Sequence, residues 1–402
     1  MMMKVTLGAL AVVAVCVVTL LTCEGIYAIA RWSEFDGSVT YKTYELIRES
    51  GRPPDEGRNF ADEGPPFTRL LQRNEIEPLL PKLRRAGVAL GNSPYKKELK
   101  TVQAAINMND DSDCLVQKPN INKNITFLRS NLFEPFDPLT IFYDSRINLD
   151  PEIRKIVETY GLRLVRLTTN EHGERTTVPV VTSHRKVIIA GDSVANGATS
   201  DDSETIASQL QALDLERQYI NLGISGARPS DIVCALKRSA QRYPGQIDEL
   251  IYVYCENDFG WRRPYGNPDE VIVWLKDFVK VQGIAKVTVV YAPYIYNVVP
   301  HYTRFRRYKG ENHRNHEDER AALAELVREA GFRYIDITDL ALAEVQRAKT
   351  QFAALSVFSD HVHLSPYGTA RLVERLRRDS SALFGQRNGG IVSGSSRSRV
   401  AP

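Results

Sequence analysis

The sequence has 402 residues, of which 43% are hydrophobic and 25% are charged, and its formal net charge is +3. These proportions are typical of globular proteins and leave enough apolar side chains for a sizeable core. Because the charge balance is near neutral, we expect no nucleic-acid partner. Five cysteines are too few for a dense disulfide framework in a chain of this length.

The N-terminal segment, residues 1–32, is predicted to be a transmembrane anchor or a signal segment. Lys4 precedes 17 uncharged residues, 5–21, which is near the lower limit for a membrane span. Ala28-Ile29-Ala30 has the small-x-small pattern of a signal-peptide cleavage site, and the run before Cys23 has some likeness to a lipoprotein box. An uncleaved anchor is favoured, and a cleaved signal and a lipoprotein are the alternatives. All three predict that the remaining chain lies outside the cytoplasm, in the periplasm or the extracellular space.

Residues 33–184 are predicted to form an accessory region of mixed α+β structure. An Asn- and Asp-rich stretch at 107–124 favours an exposed loop. The hydrophobic patterns predict two helices and two strands, namely helices at 76–86 and 95–108 and strands at 139–143 and 162–168.

Residues 185–385 are predicted to form a second domain in which apolar strands alternate with amphipathic helices. Such alternation favours a parallel sheet covered by helices on both faces. The tail, 386–402, is rich in Gly, Ser and Arg and is predicted to be disordered. The strands are predicted at 186–190, 219–222, 250–254, 287–291 and 333–335, and the helices at 202–213, 230–242, 269–281, 316–330 and 369–383.

The cysteines beyond the N-terminal segment are Cys114, Cys234 and Cys255, and they are widely spaced. No C-x-x-C pair or other metal-ligand spacing is present, and no phosphate-binding or complete dinucleotide-binding motif is found. We therefore expect no metal and no cofactor. Free buried thiols are favoured at the three positions, and one bridge among them is the alternative.

Four polar features follow the predicted strands or precede the last helix. They are Gly191-Asp192-Ser193, the loop that ends at Gly226, Asn257-Asp258, and Asp360-His361-Val362-His363. Each alone has a simpler explanation, since such serines usually cap helices and Asn-Asp pairs usually make turns. Their joint occurrence matters because ligands bind at the carboxyl ends of the strands of a parallel sheet. The four features together therefore predict one site at this edge.

This set of motifs resembles the SGNH/GDSL hydrolase superfamily, and the likeness covers about residues 186–383. Gly-Asp-Ser with a later glycine at Gly197 matches the first family block, and Asp360 and His363 match the Asp-x-x-His block. Glu256 departs from the family, which often has Gly at that position. Residues 170–175, with the sequence NEHGER, are similar to a segment of membrane-anchored members. The resemblance implies a flavodoxin-like three-layer SGNH fold.

The chemistry of the residue types gives each motif a predicted role. Ser193 would be the nucleophile, His363 the general base and Asp360 the group that orients the imidazole. The backbone N–H groups of Ser193 and Gly226 and the amide of Asn257 would form the oxyanion hole. His361 is the competing base, and His363 is preferred because of the family register and because His361 is adjacent to Asp360.

Two loops after the third and fourth strands are predicted to shape the substrate pocket. The substrate-binding candidates are Glu256, Trp261, Arg262 and Tyr296, since aromatic faces suit sugar rings or acyl chains and guanidinium groups suit anions. A solvated basic loop near a membrane surface is the alternative explanation.

The predicted function is ester hydrolysis through an acyl-serine intermediate, on an O-acylated saccharide or a lipid ester. An O-acyltransferase would use the same triad with a sugar hydroxyl as the acceptor. A catalytically silent binding module, tethered to the membrane, is the alternative from another class.

Overall fold

A computed structural model describes residues 73–385 apart from 92–93, 111, 129–138, 147–148, 260–266, 299–316, 349–356 and 361. The predicted membrane or signal segment and the predicted disordered tail lie outside these residues. Among the helices that are described, none is long and apolar enough to cross a bilayer.

The N-terminal part of the described chain is built on a four-stranded antiparallel sheet in the order β1-β5-β4-β6. A separate two-stranded antiparallel ribbon pairs β2 with β3. The elements are α1 (Arg73–Ile76), α2 (Leu80–Arg85), β1 (Ala89–Gly91), α3 (Val102–Ile106), β2 (Asn107–Asn109), β3 (Leu115–Gln117), β4 (Asn122–Leu128), β5 (Leu139–Asp144), α4 (Pro151–Tyr160) and β6 (Gly161–Thr168).

Three predictions for this part need correction. The helix expected at 76–86 is interrupted by a 3-10 turn at Glu77–Leu79, where Pro78 cannot donate a helical hydrogen bond. The helix expected at 95–108 shrinks to α3, which begins where the Thr101 hydroxyl accepts the Ala104 N–H at 3.1 Å. The loop expected at 107–124 is wrong, because this stretch forms the β2–β3 ribbon and the start of β4.

The C-terminal part is an α/β unit with a five-stranded parallel sheet in the order β11-β10-β9-β7-β8. Counted along this unit, that is the flavodoxin-like order, with its switch point between β7 and β9. The elements are β7 (Lys186–Gly191), α5 (Ser193–Asn196), α6 (Ile206–Leu213), β8 (Gln218–Asn221), α7 (Pro229–Arg242), β9 (Ile247–Cys255), α8 (Pro268–Gln282), β10 (Lys286–Ala292), α9 (Ile295–Val298), α10 (Glu317–Glu329), β11 (Arg333–Asp336), α11 (Thr338–Ala348) and α12 (Pro366–Gly385).

Helices cover both faces of the parallel sheet, as the apolar strands predict. Every residue of β7 is buried, and its side chains alternate between two hydrophobic clusters. Val187 and Ile189 lie in the cluster that includes α6, α11 and α12, whereas Ile188 and Ala190 lie in the one that includes α7, α8 and α10. β7 ends at Gly191, so the residues that follow emerge at the carboxyl edge of the sheet.

A disulfide joins the β2–β3 ribbon to α7. Cys114 and Cys234 are bonded, with their Cα atoms 6.4 Å apart, which lies within the normal range for a disulfide. The prediction of free thiols is therefore wrong at these two positions. Their 120-residue separation in the chain is closed only by tertiary packing. Cys255 is a free, buried thiol, as predicted.

Candidate active site

Ser193 is the first residue of α5, directly beyond the end of β7, and its side chain is half-buried. Asp192 caps this helix, because its carboxylate accepts the Val194 N–H at 2.9 Å. The Ser193 hydroxyl lies 3.4 Å from the other Asp192 oxygen. Since Asp192 performs the capping, the simpler explanation of Ser193 as a helix cap does not apply.

The loop after β8 packs directly on α5. The Ile224 N–H donates to the Gly191 carbonyl at 3.1 Å, and the Asn196 amide donates to the Gly223 carbonyl at 2.8 Å. A Cβ at Gly223 would overlap the backbone of Asn196, so only glycine allows this approach. Gly226 follows with a φ of +78°, and it is exposed. The loop therefore brings the Gly226 backbone to the same edge of the sheet as Ser193.

Asn257 lies in the 3-10 turn Glu256–Asp258, which follows β9. Its amide donates to an Asp192 oxygen at 3.0 Å. Asp192 thus holds both the start of α5 and the side chain of Asn257. An amide nitrogen carries two hydrogens, so one can remain on Asp192 while the second is donated to another acceptor.

Asp360 and His363 face each other across a tight turn before α12. Asp360 Oδ2 lies 2.6 Å from His363 Nδ1, and Asp360 Oδ1 accepts the N–H groups of Val362 and His363, each at 2.8 Å. Asp360 is only 5% exposed, whereas the His363 side chain is 19% exposed. The carboxylate is therefore fixed inside the protein and orients an imidazole that reaches the surface.

This turn contacts the loop that follows the Ser193 helix. The Thr199 hydroxyl donates to the Leu364 carbonyl at 3.3 Å. Val194 and Val362, which neighbour Ser193 and His363, belong to the same hydrophobic cluster. The turn that carries the predicted base and its orienting carboxylate therefore lies beside the loop that follows the predicted nucleophile.

The predicted substrate-binding residues are only partly described. Glu256 is 1% exposed, and its carboxylate accepts the Tyr294 N–H at 2.6 Å. This placement does not fit the predicted substrate contact, because the side chain supports the backbone after β10 from inside the protein. Trp261 and Arg262 lie outside the described residues, as does His361. The backbone of Tyr296 lies within α9, and its side chain is not among the described parts of the structure.

Two buried groups behind the site have raised pKa values. Burial, reinforced by the charge of Asp192, holds the pKa of Asp258 well above its usual range, and the Cys255 N–H donates to Asp258 Oδ2 at 3.1 Å. Burial also raises the pKa of the Cys255 thiol well above its ordinary value. A thiol that keeps its proton is inert, so Cys255 is excluded as a competing nucleophile.

Sequence reasoning missed the role of Arg175, although the NEHGER segment contains it. Arg175 is 2% exposed and pairs with Asp202 at 3.1 Å. Its guanidinium donates to the carbonyls of Asn196, Gly197 and Ser200 at 2.9, 2.6 and 2.6 Å. It therefore fixes the chain that leaves the Ser193 helix.

No family model matches this chain, and no curated protein matches it. Solved structures do match, and the three that follow each cover about half of this chain. A member of the lipolytic G-D-S-L family from Veillonella parvula is 15% identical, with 48% of this chain and 94% of that chain covered and a TM-score of 0.35.

A lipase/acylhydrolase from Enterococcus faecalis is 17% identical, with 48% and 94% covered and a TM-score of 0.36. A catalytic mutant of an acetylxylan esterase from Geobacillus stearothermophilus is also 17% identical, with 49% and 94% covered and a TM-score of 0.35. What this chain acts on has to follow from its own residues.

Proposed function

We propose that this chain is an extracytoplasmic serine ester hydrolase of the SGNH/GDSL type, with Ser193, Asp360 and His363 as its triad. The observation that carries the proposal is the 2.6 Å contact between Asp360 and His363 Nδ1, in a turn that is hydrogen-bonded to the loop after the Ser193 helix. A carboxylate on Nδ1 leaves Nε2 as the nitrogen that exchanges protons with the nucleophile.

The reaction begins when the Ser193 hydroxyl attacks the ester carbonyl and His363 takes its proton. Asp360 stabilises the imidazolium that forms. When the tetrahedral intermediate collapses, the bond to the alcohol breaks, and His363 returns the proton to the leaving oxygen. Water then attacks the acyl-serine with the same base, which releases the acid and restores Ser193.

The developing oxyanion is held by three donors, namely the N–H groups of Ser193 and Gly226 and the amide of Asn257. Loss of one such donor typically costs about 3 kcal/mol of transition-state stabilisation. Asp192 prepares this hole, because it accepts both the Val194 N–H and the Asn257 amide. It therefore orients the Asn257 side chain before substrate binds.

The disulfide supports the proposed location outside the cytoplasm. Structural disulfides persist in oxidising compartments and are rare in the cytosol. Cys114–Cys234 is consistent with export, as is the apolar run at 5–21 that we propose to be a membrane anchor or signal. The proposed substrate is an O-acylated saccharide or a lipid ester.

The test uses protein purified under oxidising conditions and a panel of small esters. We expect acid release from at least one ester by the wild-type chain and none above background by Ser193→Ala, which retains the fold by circular dichroism. Addition of a sugar acceptor separates transfer from hydrolysis, because a transferase forms a new ester instead of free acid. Equal ester cleavage by both proteins would refute the proposal.

A further inference from the structure

Gln103, a residue of the N-terminal part, lies against the proposed oxyanion loop. Gln103 belongs to α3, and its carboxamide lies directly beside Gly226. If Gly226 carried a side chain, the Cβ atom of that side chain would overlap the Gln103 carboxamide. Both residues are exposed. A carboxamide is therefore presented to solvent beside one of the backbone groups that we assign to the oxyanion hole.

Buried contacts fix Gln103 relative to this loop. The Asn107 amide, one turn further along, donates to the Ser225 carbonyl at 2.6 Å, and Asn107 is 5% exposed. The Ser225 hydroxyl in turn donates to Asn196 Oδ1 at 3.3 Å. A chain of hydrogen bonds thus connects the end of α3 through the oxyanion loop to the Ser193 helix.

The β2–β3 ribbon anchors the same segment a second time. Its tip is bonded to α7 through Cys114–Cys234 and through an ion pair between Asp110 and Arg238. The Leu115 N–H also donates to the carboxylate of Asp231 at 3.1 Å. With both anchors in place, the backbone below Gln103 is held before substrate arrives, and binding need not order it.

We propose that Gln103 is a substrate-positioning residue that hydrogen-bonds a hydroxyl or carbonyl oxygen next to the scissile ester and thereby selects saccharide esters over lipid esters. This inference rests on the proposed hydrolase function. It gives the N-terminal part a role at the site, because Gln103 of α3 lies beside Gly226.

The chemistry of the carboxamide sets the preference. It offers two N–H donors and one carbonyl acceptor. The Gln103 side chain makes no hydrogen bond to any residue that the structure describes, and because the residue is exposed, water can reach the carboxamide in the free protein. A sugar hydroxyl replaces that water, whereas an acyl chain laid over the carboxamide leaves it unpaired, and an unpaired polar group is costly.

The test compares two esters and three proteins. The esters are a mono-O-acetylated methyl glucoside, which keeps free hydroxyls, and p-nitrophenyl octanoate, and the proteins are the wild-type chain, Gln103→Met and Gln241→Met. Methionine keeps the length and helix propensity of glutamine but removes both polar atoms. Gln241 is an exposed residue of α7 and provides the matched control.

We expect Gln103→Met to lower kcat/KM for the acetylated glucoside about tenfold, mainly through KM, because the contact forms in the ground state as well as in the transition state. Its kcat/KM for the octanoate should stay equal or rise, and Gln241→Met should match the wild-type chain with both esters. A merely structural role would lower both activities by the same factor, with kcat falling.

Two results overturn the inference while the hydrolase function stands: an unchanged ratio of the two kcat/KM values in Gln103→Met, or cleavage of the octanoate alone by the wild-type chain. Failure of the function itself looks different. In that case the wild-type chain cleaves neither ester, and a fluorophosphonate does not label Ser193.

Discussion

The parallel and the antiparallel parts of the molecule make different contributions to the proposed site. β9, in the parallel sheet, has only one residue that is not buried, whereas β4, in the antiparallel sheet, begins with three half-buried residues. The parallel sheet holds all the groups that we assign to the reaction, at the ends of its strands. The antiparallel part contributes side chains that lie beside those groups or lock them in place, namely Gln103, Asn107 and Arg175.

This comparison predicts two kinds of variants. Substitutions of the proposed reacting groups in the parallel part should lower turnover by about a hundredfold or more and leave the fold intact. Substitutions in the antiparallel part should change stability or substrate preference. The molecules that remain folded should still hydrolyse esters.

The largest effect is expected for His363→Ala. Turnover should fall by about a thousandfold or more, because the Ser193 hydroxyl then lacks its base and triad members act as a unit. His361→Ala is the matched control and should keep most of the activity. Steady-state kinetics with one good ester measures both, and circular dichroism checks folding. If the two variants exchange behaviour, the assignment of the base is wrong.

A smaller loss is expected for Asn257→Ala. Removal of one oxyanion donor should lower kcat about a hundredfold with little change in KM, because the amide contacts the oxygen only once charge develops. Asp192 also loses the donor that lies 3.0 Å from it, so a thermal melt must show that the fold survives. A rise in KM at constant kcat would instead mark Asn257 as a ground-state contact.

Arg175→Met tests the locking role of the antiparallel part. Asp202 is left buried without its cation, and four carbonyls lose their donor, so the free energy of unfolding should fall by about 3–5 kcal/mol. Arg185→Met removes a surface pair with Asp248 and should cost less than about 1 kcal/mol. Urea unfolding compares the two variants, and equal losses would show that Arg175 has no special structural role.

The most gradual effect is a pH dependence of stability that originates from Asp258. Its pKa is raised in the folded protein, so the folded state keeps a proton that the unfolded chain releases at lower pH. The stability that this proton contributes is complete below the unfolded pKa and is lost as the pH rises through the folded pKa.

Asp258→Asn removes the titration but keeps an oxygen that can accept the Cys255 N–H. Relative to the wild-type chain, the variant should therefore gain stability as the pH is raised, by up to about 1.4 kcal/mol per pH unit. Urea unfolding from pH 5 to 9 measures the difference, and a constant difference across that range would contradict the raised pKa.

The sequence predicts the parallel part far better than the antiparallel part. Runs such as Val187-Ile188-Ile189 place apolar side chains on both faces of a strand. They therefore predict a central strand of a sheet that is covered by helices on both faces. β4 was missed because Asn122 and Asn124 favour turns locally, and only pairing with β5 and β6 makes them strand residues. α11 was also missed, although Ala341 packs in the core.

The same difference holds for the site. Ser193, Asp360 and His363 stand in recognisable motifs at predictable strand and helix ends, so the sequence could nominate them. Gln103 and the Cys114–Cys234 bond depend on the docking of the β2–β3 ribbon on α7, which leaves no local pattern. Glu256 was nominated from its place beside Asn257, but the side chain points inward to the Tyr294 N–H.

Covalent labelling of Ser193 tests the central claim most directly. The full chain, purified with its disulfide intact, is incubated with a fluorophosphonate and mapped by peptide mass spectrometry. We predict one phosphonyl group, on Ser193, that is absent from Ser193→Ala and forms far more slowly in His363→Ala, because the base no longer activates the hydroxyl. No labelling of the folded wild-type chain, or equal labelling of Ser193→Ala at another residue, would contradict the assignment of Ser193 as the nucleophile.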